Sequence, residues 1–217
     1  AFYLIRHFLT KSKDNSKKNN VPKPKSQSIP KKEKPKNLDD IFDLNYSLDS
    51  KMAVDSNEKE RLYERAGIGV QSGYSTILLA LDGINAKAGS RIIDLGSGYG
   101  RVGLVCSLLR PDLDFVGYEF VDHRVDVSND ACKSLGLEDA LKFITQDLSL
   151  ASFNIPVAEV YYLYDPFTEE TYKYVLDQIV EISKRMQVTI VTKGNANIWL
   201  KKIALENSWP AVVEIDG

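Results

Sequence analysis

The sequence is poor in the residues that build metal centres and disulfide frameworks, with two cysteines and two histidines in 217 residues. Cys106 and Cys132 fall in stretches of helical patterning, and two thiols do not staple a chain of this length, so a reducing compartment such as the cytoplasm is expected. His7 and His123 have no Cys or His partners at metal-ligand spacing, and no metal site is expected. No Ser-His-Asp or Cys-His arrangement has supporting spacing either, which removes covalent nucleophilic catalysis from the readings. Runs of 18 or more apolar residues are also lacking, so no complete transmembrane helix is expected within these residues. The first ten residues form one apolar segment, Ala1 to Leu9, interrupted by Arg6 and His7. With lysine-rich sequence behind it, the segment reads either as a short helix or as the end of an anchor or leader that would associate the chain with a membrane.

Charge is unevenly placed. The stretch 11–37 holds 10 of the 28 basic residues and only Asp14 and Glu33 of the 30 acidic ones. Its Lys, Ser, Asn and Pro composition cannot bury enough apolar surface to offset ordering entropy, so it reads as a disordered basic arm or linker. From Leu38 onward 17 basic residues face 28 acidic ones, a net charge of −11. An acidic domain repels polyphosphate, so nucleic acid is not the expected partner of the folded part.

Periodicity divides the remainder. From residue 38 to 89 apolar residues recur at helical spacing, as in Leu62, Ala66 and Val70 and then Ile77, Leu78 and Leu81, giving a helical segment that leads into the domain. From residue 90 to 217 short apolar runs alternate with amphipathic stretches, the pattern of βαβ units and a parallel sheet. Strands are expected over 91–95, 115–120, 141–145, 157–164, 188–192 and from 211. Helices are expected over 101–109, 121–135, 169–183 and 198–206.

One loop carries chemistry. Asp94-Leu95-Gly96-Ser97-Gly98-Tyr99-Gly100-Arg101 stands where the first strand becomes a helix, and its three glycines permit a tight turn and close backbone approach to a nucleotide-like ligand. Gly98, Gly100 and Gly103 also fit the dinucleotide spacing G-x-G-x-x-G. Asp94 separates the two readings: its carboxylate would repel a pyrophosphate but would attract the ammonium of S-adenosylmethionine.

On this motif the chain resembles the class I S-adenosylmethionine-dependent methyltransferases, whose first motif has the form D/E-x-G-x-G-x-G. The resemblance runs from about Arg91 to Thr192. It implies a three-layer Rossmann-like fold with a mostly parallel central sheet, whose last strand is missing or displaced in residues up to Gly217. It also implies S-adenosylmethionine as cofactor, held by Asp94, Gly96, Ser97, Gly98, Tyr99 and Gly100. Glu119, at the end of the second strand, stands where the family and the Rossmann rule place the ribose ligand. Asp147 stands where an acid binds the adenine amino group, and Phe120 and Leu148 are candidates for the adenine walls. The fourth strand ends in Tyr164-Asp165-Pro166-Phe167, similar to the D/N-P-P-F/Y turn of amine-directed members but one proline short. Residues 161–182 look most like uncharacterised bacterial members with an N-P-F or D-P-F turn, and D-L-G-S-G is similar to histone-methylating relatives.

The resemblance therefore implies methyl transfer to an amine, a protein lysine among them, with Asp165, Pro166 and Phe167 as the acceptor-side residues and Tyr164 beside the cofactor. Two other readings share the loop: a binding module that holds the cofactor without turnover, and a nicotinamide-dependent oxidoreductase. Gln71, Ser72 and Tyr74, just before the domain, are further candidates for closing over the cofactor.

Overall fold

The computed structural model describes residues 37–49, 71–164 and 167–210. Eleven elements follow one another among them: α1 (Leu38–Phe42), α2 (Tyr74–Gly83), β1 (Arg91–Leu95), α3 (Arg101–Leu109), β2 (Asp114–Glu119), α4 (Asp122–Leu135), β3 (Leu141–Thr145), β4 (Val160–Tyr164), α5 (Glu169–Ser183), β5 (Thr189–Lys193) and α6 (Ala196–Glu206). The helical repeat at 62–70 and the strand expected from 211 lie outside the described residues. The expected helices α3 and α5 and strands β1 and β3 have the bounds read from the sequence. Among the described residues, no helix is long and apolar enough to cross a membrane.

The five strands form one parallel sheet in the order β3-β2-β1-β4-β5. Successive strand residues point to opposite faces, and both faces are covered, which is why the strands read as nearly unbroken apolar runs. Ile92, Phe115, Phe143, Val160 and Tyr162 face a core shared with α2, α3 and α4. Ile93, Leu95, Tyr161, Leu163 and Ile190 face a second core shared with α5 and α6. Cys106 and Cys132 are buried in α3 and α4, and burial pushes their thiols up to about 11 and about 12, which leaves them neutral and inert.

Local chemistry accounts for the boundaries. β4 begins at Val160 rather than 157 because the Tyr161 hydroxyl accepts from the Ala158 amide and donates to the Pro156 carbonyl, folding that stretch back before pairing starts. α4 closes at Gly136 in the left-handed region, where glycine carries no Cβ penalty. α1 is five residues long and depends on its capping box, in which Asn37 Oδ1 accepts from the Asp40 amide and Asp40 accepts from the Asn37 amide. Phe42 then anchors it fully buried in the first core.

Strand order reverses direction between β1 and β4, because β2 and β3 lie on one side and β5 on the other. That switch point stands at the carboxyl ends of β1 and β4, the place where open α/β sheets bind ligands.

Candidate functional site at the carboxyl edge of the sheet

Asp94 sits at the switch point, in register with Gly117 of β2 and Tyr162 of β4. It is 1% exposed, and its Oδ2 has no hydrogen-bond partner. Burial, reinforced by the nearby negative charge of Glu119, raises its carboxyl well above the ordinary range. Burial together with the Asp94 charge also pushes the adjacent Tyr162 hydroxyl up to about 12. A buried acid with an unsatisfied oxygen costs stability, so its natural complement is a cationic ligand.

The loop after β1 turns through Gly96, Gly98 and Gly100, all at positive φ (90°, 56° and 77°). Gly117 lets that loop lie on the sheet: a Cβ there would come 2.5 Å from the Phe143 ring and 2.8 Å from the Ser97 side chain. Five consecutive loop amides are donated within the protein. Gly96 and Ser97 both donate to the Tyr118 carbonyl at 2.8 and 2.9 Å, and Gly100 to the Ser97 carbonyl at 2.9 Å. Gly98 donates to Glu119 Oε2 at 2.8 Å and Tyr99 to Gln71 Oε1 at 3.3 Å. A pyrophosphate needs free backbone N–H groups at this turn, and the loop from Gly96 to Gly100 offers it none.

Glu119 is buried at the end of β2, where it also accepts from the Val121 amide at 3.1 Å. Its Oε1 lies 3.6 Å from Nη1 of Arg124, whose other nitrogens grip Asp49. Asp147 accepts from both the amide and the hydroxyl of Ser149, so its Oδ1 forms an Asx turn after β3. Phe120 is half-buried, whereas Leu148 is almost fully buried in the second core. Tyr164 is half-buried at the end of β4. Asp165 and Pro166 lie outside the described residues. Phe167 is 1% exposed and packs edge-on against Tyr172 at 5.2 Å, so its ring belongs to the core rather than to an open acceptor wall.

Sequence reasoning missed several residues that the fold brings here. Lys193, at the end of β5, donates to Thr76 Oγ1 at 3.1 Å and lies 5.1 Å over the Tyr164 ring. Arg101, the first residue of α3, forms a buried ion pair with Asp39 and donates to the Ser72 carbonyl at 3.1 Å. The hydroxyls of Tyr46 and Tyr74 donate to the same Asp39 oxygen. Arg101 carried a legible signal: a cation at the first position of a helix opposes the helix dipole, so it must be used elsewhere. Gln71 lies against the loop, accepting from the Tyr99 amide, and the Ser72 carbonyl accepts from Arg101.

The parallel sheet in the order β3-β2-β1-β4-β5, with helices on both faces, is a Rossmann-like arrangement. No family model matches the chain, and no curated protein matches it significantly. Among solved structures it is similar to an RNA methyltransferase from Salinibacter ruber in complex with S-adenosylhomocysteine. That match has 21% identity and a TM-score of 0.47, over 57% of this chain and 76% of that one. It is similar to the [4+2]-cyclase SpnF at 14% identity and a TM-score of 0.45, over 67% of this chain and 54% of that one. The YcgJ protein from Bacillus subtilis matches at 16% identity and a TM-score of 0.44, over 62% and 68%. The chain spans 30% and 34% of the two StiE O-MT chains and 39% of the MccD protein that it also matches.

Proposed function

We propose that the chain binds S-adenosylmethionine on the loop from Asp94 to Gly100 and transfers its methyl group to a nitrogen, that of a protein lysine or another basic amine. The observation that carries the reading is the buried, unpartnered oxygen of Asp94 beside a loop whose amides are already donated. A cationic amino acid group suits that environment and a pyrophosphate does not, which sets the nicotinamide reading aside.

When bound, the cofactor supplies an activated methyl carbon on a sulfonium. This chain's part is to hold and aim. Asp94 takes the ammonium, and Glu119 accepts the ribose hydroxyls. The backbone of Gly96, Ser97, Gly98, Tyr99 and Gly100 lets the ligand approach closely. Asp147 retains a second carboxylate oxygen for the adenine amino group, with Phe120 as one apolar wall and Leu148 supporting the loop from beneath. On the acceptor side, Asp165 and Pro166 would orient the nitrogen lone pair, with Tyr164 beside the cofactor. Methyl transfer there would form an N–C bond at the expense of the C–S bond, with S-adenosylhomocysteine as the leaving product and the proton on nitrogen passing to solvent. Positioning the three atoms in line is the main catalytic contribution. Lys193, on the same edge, supports an amine acceptor, because a neighbouring cation favours the neutral, nucleophilic form of an amine.

Calorimetry tests the cofactor: S-adenosylmethionine and S-adenosylhomocysteine bind and NAD does not, and the reverse result overturns the reading. Incubation with a labelled methyl donor and whole-cell extract tests the acceptor. Label is expected on protein or small amines, and label on RNA or on a small-molecule oxygen overturns the amine reading. Asp165→Ala is expected to abolish turnover while cofactor binding stays nearly unchanged. Binding with no turnover on any extract would make the chain a cofactor-binding module.

A further inference from the structure

Glu119, the carboxylate assigned above to the ribose, stands beside a guanidinium that does not hydrogen-bond it. Arg124 Nη1 is 3.6 Å from Glu119 Oε1, beyond hydrogen-bond distance, although both side chains are buried at 7% exposure. The rest of the Arg124 fork points the other way: Nε donates to Asp49 Oδ1 at 3.2 Å and Nη2 to Asp49 Oδ2 at 3.0 Å. Asp49 is 1% exposed and also has His123 Nε2 at 2.6 Å from its Oδ1. It belongs to the segment 37–49, 75 residues before Arg124 and outside the sheet.

A two-sided bidentate pairing is the strongest arrangement open to an arginine and a carboxylate. Without Asp49, the described groups left around Arg124 include Tyr99, whose ring centroid lies 5.8 Å from the guanidinium carbon, and Glu119, the carboxylate of the two. The guanidinium would then close the 3.6 Å gap and occupy the acceptor sites of Glu119. A carboxylate has about four such sites, and two are taken by the Gly98 and Val121 amides. The two that remain match the two hydroxyls of a ribose.

We propose that Asp49 is a positioning residue for the cofactor site: by holding the Arg124 fork, it keeps Glu119 free to accept both ribose hydroxyls. The inference rests on the cofactor reading above. It makes the segment before the sheet part of the ligand site, acting through Arg124 and Glu119 without touching ligand.

The test is calorimetry on the full 217-residue chain with S-adenosylhomocysteine and with its 3′-deoxy analogue, which lacks one ribose hydroxyl. The wild type is expected to prefer the full ribose about tenfold, and Asp49→Asn to lose most of that preference. Arg124→Lys keeps the charge but has no fork to lay on Glu119, so Asp49→Asn in an Arg124→Lys background is expected to keep the preference that Asp49→Asn alone loses; Asp49→Ser serves as the second variant if Asp49→Asn does not fold. In a Glu119→Gln background, Asp49→Asn is expected to cause no further loss. A merely structural role would weaken both ligands by the same factor and leave the ratio unchanged, and that result overturns the relay alone. A wild type that binds neither ligand overturns the cofactor reading and the relay with it.

Discussion

Two kinds of buried acid stand within this one domain, and they differ in who answers them. Asp39 and Asp49, both on the segment before the sheet, each face an arginine on a helix that follows a site loop, Arg101 on α3 and Arg124 on α4. Asp94 lies deeper than Asp39, at the switch point of the sheet, with an oxygen that no protein group meets. The paired acids fasten the segment to the site. The unpaired acid is the one that the proposed cofactor's cation would answer.

The contrast has a sign in pH. Burial alone would raise the Asp49 carboxyl, but the Arg124 hydrogen bonds and charge, with His123 beside them, hold it below the ordinary range. Its stabilisation is therefore present above the unfolded value of about 3.9 and is lost as pH falls through the lower folded value. Asp94 runs the other way. Its folded carboxyl is raised by burial and by Glu119, so the folded state tolerates it when protonated and loses stability as pH rises from about 4 through the raised value.

The largest expected effect comes from breaking a pair. Arg101→Ala leaves Asp39 buried without its cation and is expected to destabilise the fold by about 3–5 kcal/mol, read from urea unfolding midpoints. A loss below about 1 kcal/mol would mean that the ion pair does not fasten the segment. Next comes Glu119→Ala, expected to weaken S-adenosylhomocysteine binding by about 1–3 kcal/mol in calorimetry. Unchanged affinity would move the ribose site elsewhere.

Asp94→Asn sharpens the contrast, because stability and binding should move in opposite directions. Removing the buried charge is expected to stabilise the ligand-free protein by on the order of 1 kcal/mol near neutral pH, and to flatten its loss of stability with rising pH. Cofactor affinity should fall in the same variant. In the wild type, affinity for the cation should rise with pH through the raised value of Asp94, with proton release seen as a dependence of binding heat on buffer. A variant both less stable and equally competent to bind would sink the assignment of Asp94.

How much of this was legible in the sequence follows from the range of each interaction. Period-two and period-3.6 patterns are local, so β1, α3, β3 and α5 were read to the residue, and Asp94 and Glu119 stood out by their places relative to the glycine loop. The Asp39–Arg101 and Asp49–Arg124 pairs join residues 62 and 75 positions apart, and no local pattern encodes such a meeting. Lys193 was invisible for the same reason, since its neighbours Thr76 and Tyr164 come from two other elements. A turn motif gives the order of residues but not the face on which a ring falls, so the packing of Phe167 on Tyr172 of α5 was not legible either.

The smallest expected effect is that of removing residues 1–36. The cut keeps Asn37, whose capping box holds α1 and with it Asp39, so both ion pairs survive; a cut one residue later would remove a cap whose loss typically costs about 0.5–2 kcal/mol. The removed stretch is rich in lysine and poor in large apolar residues from 11 onward, so it has little apolar surface to contribute to a core. Stability and S-adenosylhomocysteine affinity of 37–217 are therefore expected to match those of the full chain within about 0.5 kcal/mol. One interaction could spoil that match, because a basic arm and a domain of net charge −11 attract each other. Repeating both measurements near 1 M salt, where the screening length falls to about 3 Å, separates the cases. A difference that vanishes in salt is long-range attraction by the arm, and one above about 1 kcal/mol that persists would show that residues 1–36 pack against the fold and that the segment from Asn37 is not a self-sufficient clamp.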